Sequence, residues 1–158
     1  MCIRDSTPTS VVLEMVDRAG ITPQSHFFDI GSGLGQVVIL VHLLTGARAS
    51  GVELDGAFCD CARQSAAALG LNEVDFVNLD ARHADYQSGD IFFLFTPFRG
   101  AILQSVLEQL RTVATQNAIT LCTYGPCTLT VAQQPWLKSS DSHADHEFKL
   151  AIFQSRGF

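Results

Sequence analysis

Apolar positions recur along this chain in two alternating rhythms. Val11, Val12, Met15, Val16 and Ala19 repeat at helical spacing, with Gly20 as a stop. Ahead of them, Thr7 reads as the N-cap and Pro8 as the first helical residue. A second helix is expected from the Gly35 turn to about Thr45, ending at Gly46, and its continuous apolar content predicts burial against a sheet. Residues 57–69 read as a third helix, with Phe58, Cys61, Ala62, Ser65 and Leu69 on one face and Gly70 as its stop. Residues 101–111 read as a fourth, with Ile102, Leu103, Val106, Leu107 and Leu110 facing inward. Short apolar runs at 26–30, 48–53, 74–79, 90–95 and 118–124 alternate with these helices and read as strands. Such alternation predicts an α/β fold, a parallel sheet with helices on both faces. After Gly125-Pro126 the pattern changes to a short helix or loop and two strand-like pieces, 136–138 and 147–155.

Composition narrows the classes. A chain of 158 residues is one domain. At this size about 70% of the unfolded surface is buried on folding, enough for a core. With 47% hydrophobic and 16% charged residues it is globular and not disordered. A net charge of −6 argues against a free-standing nucleic-acid binder, whose affinity rests on neutralising phosphates. It suits a small molecule or a basic protein segment. No apolar run approaches the length of a membrane helix. Met1-Cys2-Ile3-Arg4-Asp5-Ser6 looks like the translation of a transposase adapter used in sequencing libraries. Residues 1–6 are therefore expected to be an artefact, and 7–158 a single, N-terminally truncated domain.

The chemistry concentrates at Asp29-Ile30-Gly31-Ser32-Gly33-Leu34-Gly35. Three alternating glycines between a strand and a helix let backbone approach a ligand closely, and the helix start presents unpaired N–H groups to an anion. A nucleotide-like ligand follows. A dinucleotide site wants G-x-G-x-x-G, but Gln36 stands at the third glycine position, and no Walker Gly-Lys-Ser/Thr is present. Glu53 ends the next strand some twenty residues on, where Rossmann-like folds place a carboxylate on ribose hydroxyls. Asp55 reads as the N-cap of the following helix.

The D-x-G-x-G-x-G pattern resembles motif I of class I S-adenosylmethionine (SAM) methyltransferases. Together with Gly-Gln-Val-Val at 35–38 and Gly51-Val52-Glu53, it is most similar to the Dot1-type methyltransferases, with Thr7 at a separation like that of their threonine-bearing loop. The resemblance covers the chain from Thr7 to about Ser155. It implies a three-layer α-β-α Rossmann-like sandwich with a seven-stranded, mostly parallel sheet and a C-terminal antiparallel hairpin. It implies SAM as cofactor, held by Thr7, Asp29, Gly31, Ser32, Gly33, Gly35, Gln36, Glu53, Leu54, Asp80 and Ala81. Asp29 and the glycine turn would hold the methionine end, and Asp80 the adenine amino group. Thr96, Pro97 and Phe98, after the fourth strand, stand where the family faces its substrate. Dot1-type proteins are asparagine-rich there, and Thr96-Pro97-Phe98 only partly resembles the Asn/Asp-Pro-Pro-Tyr motif of amino methyltransferases.

The expected function is therefore methyl transfer from SAM to a protein side chain or a small molecule. The alternatives are an NAD(P)-dependent oxidoreductase and a SAM-binding domain without catalysis. Cys2, Cys59, Cys61, Cys122 and Cys127 fit no zinc spacing and point to a reducing, cytoplasmic compartment. Asp141, His143, Asp145 and His146 could ligate a metal on a loop, but such a polar stretch more commonly faces water, and no metal is expected. His26, His42 and His83 have no partner visible in sequence.

Overall fold

In the computed structural model, which describes residues 6–95, 99–139, 141 and 148–157, these rhythms form one sheet flanked by helices. The order is α1 (Thr9–Arg18), β1 (His26–Ile30), α2 (Gln36–Thr45), β2 (Arg48–Glu53), α3 (Gly56–Ala68), β3 (Val74–Asn78), β4 (Ile91–Phe95), α4 (Gly100–Ala114), β5 (Thr120–Tyr124), α5 (Cys127–Ala132), β6 (Leu137–Ser139) and β7 (Ala151–Ser155). The seven strands lie in the order β3-β2-β1-β4-β5-β7-β6. β1 to β5 are parallel, and β7 runs antiparallel to both β5 and β6. The chain winds outward from β1 to β3, then crosses to β4 on the other side of β1. That reversal puts the topological switch point at the carboxyl ends of β1 and β4, the usual ligand position in an open α/β sheet.

Strand pleating sends neighbouring side chains to opposite faces and so builds two cores. Phe27 packs with Val12, Met15, Val38, Val41 and Ala62 of α1, α2 and α3. Phe28 and Ile30 pack with Leu103, Leu107 and Leu110 of α4 and with Val131 of α5. No helix among the described residues is long and apolar enough to cross a membrane.

Three local expectations are corrected. Pro8, not Thr7, occupies the cap position of α1, with φ −59° and ψ 138°, and its carbonyl accepts the first helical bonds from Val11 (3.0 Å) and Val12 (3.3 Å). α3 buries Cys59, Ala62 and Ala66, while Phe58, Cys61, Ser65 and Leu69 are exposed. The cause is tight packing: a Cβ on Gly35 would fall 2.8 Å from that of Ala62 and 2.6 Å from the Phe76 ring, so the seam admits only small side chains. In α4, Ile102 is exposed and the inward stripe instead continues to Val113 and Ala114, because the helix runs a turn further.

Candidate active site

β1 carries Asp29 next to its carboxyl end, and the chain then turns through Gly31, Gly33 and Gly35 with φ of 87°, 54° and 81°. Only glycine holds these values without strain. The N–H groups of Gly31 and Ser32 donate to the Val52 carbonyl at 2.8 and 3.0 Å, which docks the turn on β2. Gly51 permits the docking, since a Cβ there would lie 2.5 Å from Ser32 Oγ and 2.6 Å from Phe76. The Ser32 hydroxyl thus abuts β2, buried and without a hydrogen-bond partner among the described residues. Gly33 is different: a Cβ there would meet nothing within 4 Å, so the turn opens onto free space at that point. No side chain caps α2, so its first amides are left for another acceptor, and Gln36 is exposed beside them.

Glu53 closes the turn from β2. Its Oε2 accepts from the Gly33 N–H at 2.7 Å and its Oε1 from the Asp55 N–H at 2.9 Å. Asp55 caps α3 as expected, its Oδ1 accepting from the N–H groups of Ala57 (2.9 Å) and Phe58 (3.2 Å). Asp29 is almost wholly buried, and its carboxyl makes no hydrogen bond among the described residues. Burial first, then the Glu53 charge, pushes its pKa up to about 7.

Asp80 lies past the end of β3, and Arg82 claims both its oxygens. Arg82 Nε reaches Oδ1 at 3.0 Å, Nη2 reaches Oδ2 at 2.7 Å, and the Arg82 backbone N–H donates to Oδ1 at 2.9 Å. Hydrogen bonds from Arg82 hold this carboxyl well below the usual carboxylate range. Ala81 is buried, and its carbonyl accepts from the Tyr86 hydroxyl at 2.8 Å. Leu54 is exposed next to Glu53, and Thr7 is half-buried.

The structure therefore brings Asp29, the glycine turn and Glu53 together, with Leu54, Asp80 and Ala81 along the same carboxyl edge. Thr96, Pro97 and Phe98 lie outside the described residues, as do Cys2, His143, Asp145 and His146 of the earlier expectations. Asp141 pairs with Arg18 and accepts from the Ile152 N–H at 2.9 Å. Among the described residues no acids, histidines and cysteines cluster as metal ligands, and Cys59, Cys61 and Cys122 are free thiols. Sequence reasoning missed Asn78, whose side-chain amide grips the β2–α3 turn, and Arg82, whose pairing with Asp80 at i+2 was the available signal. His26 also acquires partners, Ser50 at 2.7 Å and Ser88 at 3.0 Å.

Comparisons with known proteins bear on the family and the fold. Residues 6–94 match the family described as histone methylation protein DOT1. A search of curated proteins finds no match. Among solved structures, an RNA methyltransferase from Salinibacter ruber in complex with S-adenosylhomocysteine (SAH) superposes with a TM-score of 0.69 at 22% identity, over 95% of this chain and 92% of that one. A SAM-dependent methyltransferase from Thiobacillus denitrificans, also with SAH, gives 0.59 at 19% identity over 73% of this chain, which spans about half (48%) of that protein. A geranyl diphosphate C-methyltransferase from Streptomyces coelicolor gives 0.67 at 13% identity, over 95% of this chain and 80% of that one. The shared fold, the glycine turn with its two acids and the match over residues 6–94 make one statement: the chain belongs to the DOT1 family and is a class I SAM-dependent methyltransferase.

Proposed function

We propose that the chain holds SAM along the carboxyl edge of β1, β2 and β3 and directs its methyl group to a protein side chain or a small molecule. The observation that carries this reading is Glu53, aligned by the Gly33 amide over a glycine turn that opens onto free space. A carboxylate offers about four lone-pair positions, and two backbone amides use two, so capacity remains for two ribose hydroxyls. The buried Asp29, which has no cationic partner among the described residues, suits an ammonium group, while the uncapped start of α2 suits a carboxylate. Leu54 offers an apolar surface to adenine. Asp80 and Ala81 border that end, with Asp80 already committed to Arg82. Ser32 would contribute its backbone only, since its hydroxyl faces Gly51. Thr7 and Gln36 flank the turn by resemblance to the family.

SAM supplies a sulfonium-activated methyl group for in-line displacement; the chain's task is alignment and exclusion of water. Thr96, Pro97 and Phe98 follow β4 and are assigned the acceptor side on position alone. The acidic net charge favours a basic protein segment or a small molecule over nucleic acid. Free thiols at Cys59, Cys61 and Cys122 support a cytoplasmic placement.

The test has two arms. Calorimetry should show SAH binding and no NADH binding; the reverse result would replace this reading with the oxidoreductase. Tritiated methyl groups from SAM should then enter a protein or small-molecule fraction of a cell extract. Label entering RNA alone would overturn the acceptor assignment, and SAH binding without any label transfer would support a non-catalytic domain.

A further inference from the structure

We propose that Asn78 is a positioning residue, whose side-chain amide sets the β2–α3 turn so that Glu53 and Leu54 meet the adenosine end of the cofactor. The proposal rests on the SAM reading above. Asn78 is the last residue of β3 and stands opposite Glu53 in the parallel register. Its Nδ2 carries two hydrogens, and both are used at 2.9 Å, one on the carbonyl of Glu53 and one on that of Leu54. The orientation of the amide is fixed, because its oxygen would face two carbonyl oxygens if reversed.

Two consecutive carbonyls held by one planar group fix the two peptide units that flank Leu54, Glu53–Leu54 and Leu54–Asp55. The first joins the residue that bears the carboxylate to Leu54, and together they set where the Leu54 side chain leaves the backbone. The carboxylate in turn holds Gly33, so Asn78 links β3 through β2 to the glycine turn. Gly56 leaves room for the arrangement: a Cβ there would lie 3.3 Å from Asn78 Oδ1. The start of α3 does not depend on Asn78, because Asp55 caps it independently. The expected role is therefore local to the turn that carries the two ligand-facing groups.

The experiment uses the full chain with two probes. SAH reports the whole cofactor site; 5′-methylthioadenosine has the ribose and adenine but no amino-acid end. Asn78→Asp is isosteric, loses both donors and sets a carboxylate against two carbonyls. It should weaken both probes by the same factor, roughly tenfold, as expected when hydrogen-bonded polar groups lose their partner. Asp29→Asn is the contrast, weakening SAH while leaving methylthioadenosine within about twofold, since its partner is the ammonium. Should Asn78→Asp fail to fold, Asn78→Ser keeps one donor and should give a smaller loss with the same equal split. Equal affinities for wild type and a folded Asn78 variant would overturn the proposal. So would a loss confined to SAH, because the defect would then lie at the methionine end. A wild-type chain that binds neither probe would instead refute the SAM reading, and the positioning role with it.

Discussion

The Glu53 carboxylate performs two jobs that pull on different measurements. It holds the Gly33 and Asp55 amides at 2.7 and 2.9 Å, and it keeps lone pairs for a ligand. Glu53→Ala should therefore weaken SAH binding by about 1–3 kcal/mol, the scale for leaving polar partners unpaired. It should also lower the stability of the ligand-free protein by about 1 kcal/mol, as the turn loses two hydrogen bonds at a site that water can reach. Calorimetry and thermal melts separate these effects, and an unchanged Kd would remove Glu53 from the site. The acids and glycines here were legible in sequence because turn chemistry restricts which residues can stand there. Asn78 was not, since its two carbonyl partners lie 24 and 25 positions away and meet it only through strand register. Asp80 was legible as an acid at a strand end, but its local partner at Arg82 was overlooked.

Strands and helices came through the periodicity because both faces of the sheet are buried and apolar runs mark each strand. The face of α3 did not, and the reason is size. Large apolar side chains at Phe58 and Leu69 suggest an inward stripe, yet they are 42% and 57% exposed. The inner face must clear Phe76 where Gly35, Gly51 and Ala62 crowd its ring, so alanine and cysteine fill it. This seam between turn, sheet and helix predicts an ordering of variants. Gly51→Ala places a methyl group 2.5 Å from Ser32 Oγ and 2.6 Å from Phe76 and should destabilise by about 1–3 kcal/mol through overpacking. Adding Ser32→Gly removes one of the two clashes and should restore part of the loss. Denaturant titration of the single and double variants measures this directly. Full additivity between the two substitutions would show that the docking of the turn on β2 does not limit stability.

At the scale of the whole molecule, one strand carries two buried titratable groups of opposite sense. His26 begins β1 and Asp29 stands near its end. Ser50 donates its hydroxyl hydrogen to Asp75 Oδ1 at 2.7 Å, so it accepts from His26 Nε2–H, and His26 Nδ1 accepts from the Ser88 hydroxyl. The imidazole is thus satisfied when neutral. Burial, with Arg48 second, lowers its pKa, while Asp75 and Asp90 partly oppose them. A lowered histidine pKa means that the unfolded chain binds the extra proton; this contribution is complete above about pH 6.5 and is lost as pH falls through the folded value. Asp29 behaves in the opposite way. Its folded pKa of about 7 lies above the ordinary 3.8, so the native state binds the extra proton. That contribution is complete below pH 3.8 and is lost as pH rises through about 7. Asp29→Asn should therefore remove the decline in stability across that window and leave the histidine limb intact. Saturating SAH should flatten the same decline, because its ammonium favours the ionised carboxylate, and binding near pH 7 should release a fraction of a proton. Calorimetry in two buffers of different ionisation enthalpy counts that proton. Binding with no proton release in the wild type, or release that persists in Asp29→Asn, would show that Asp29 does not face the ammonium.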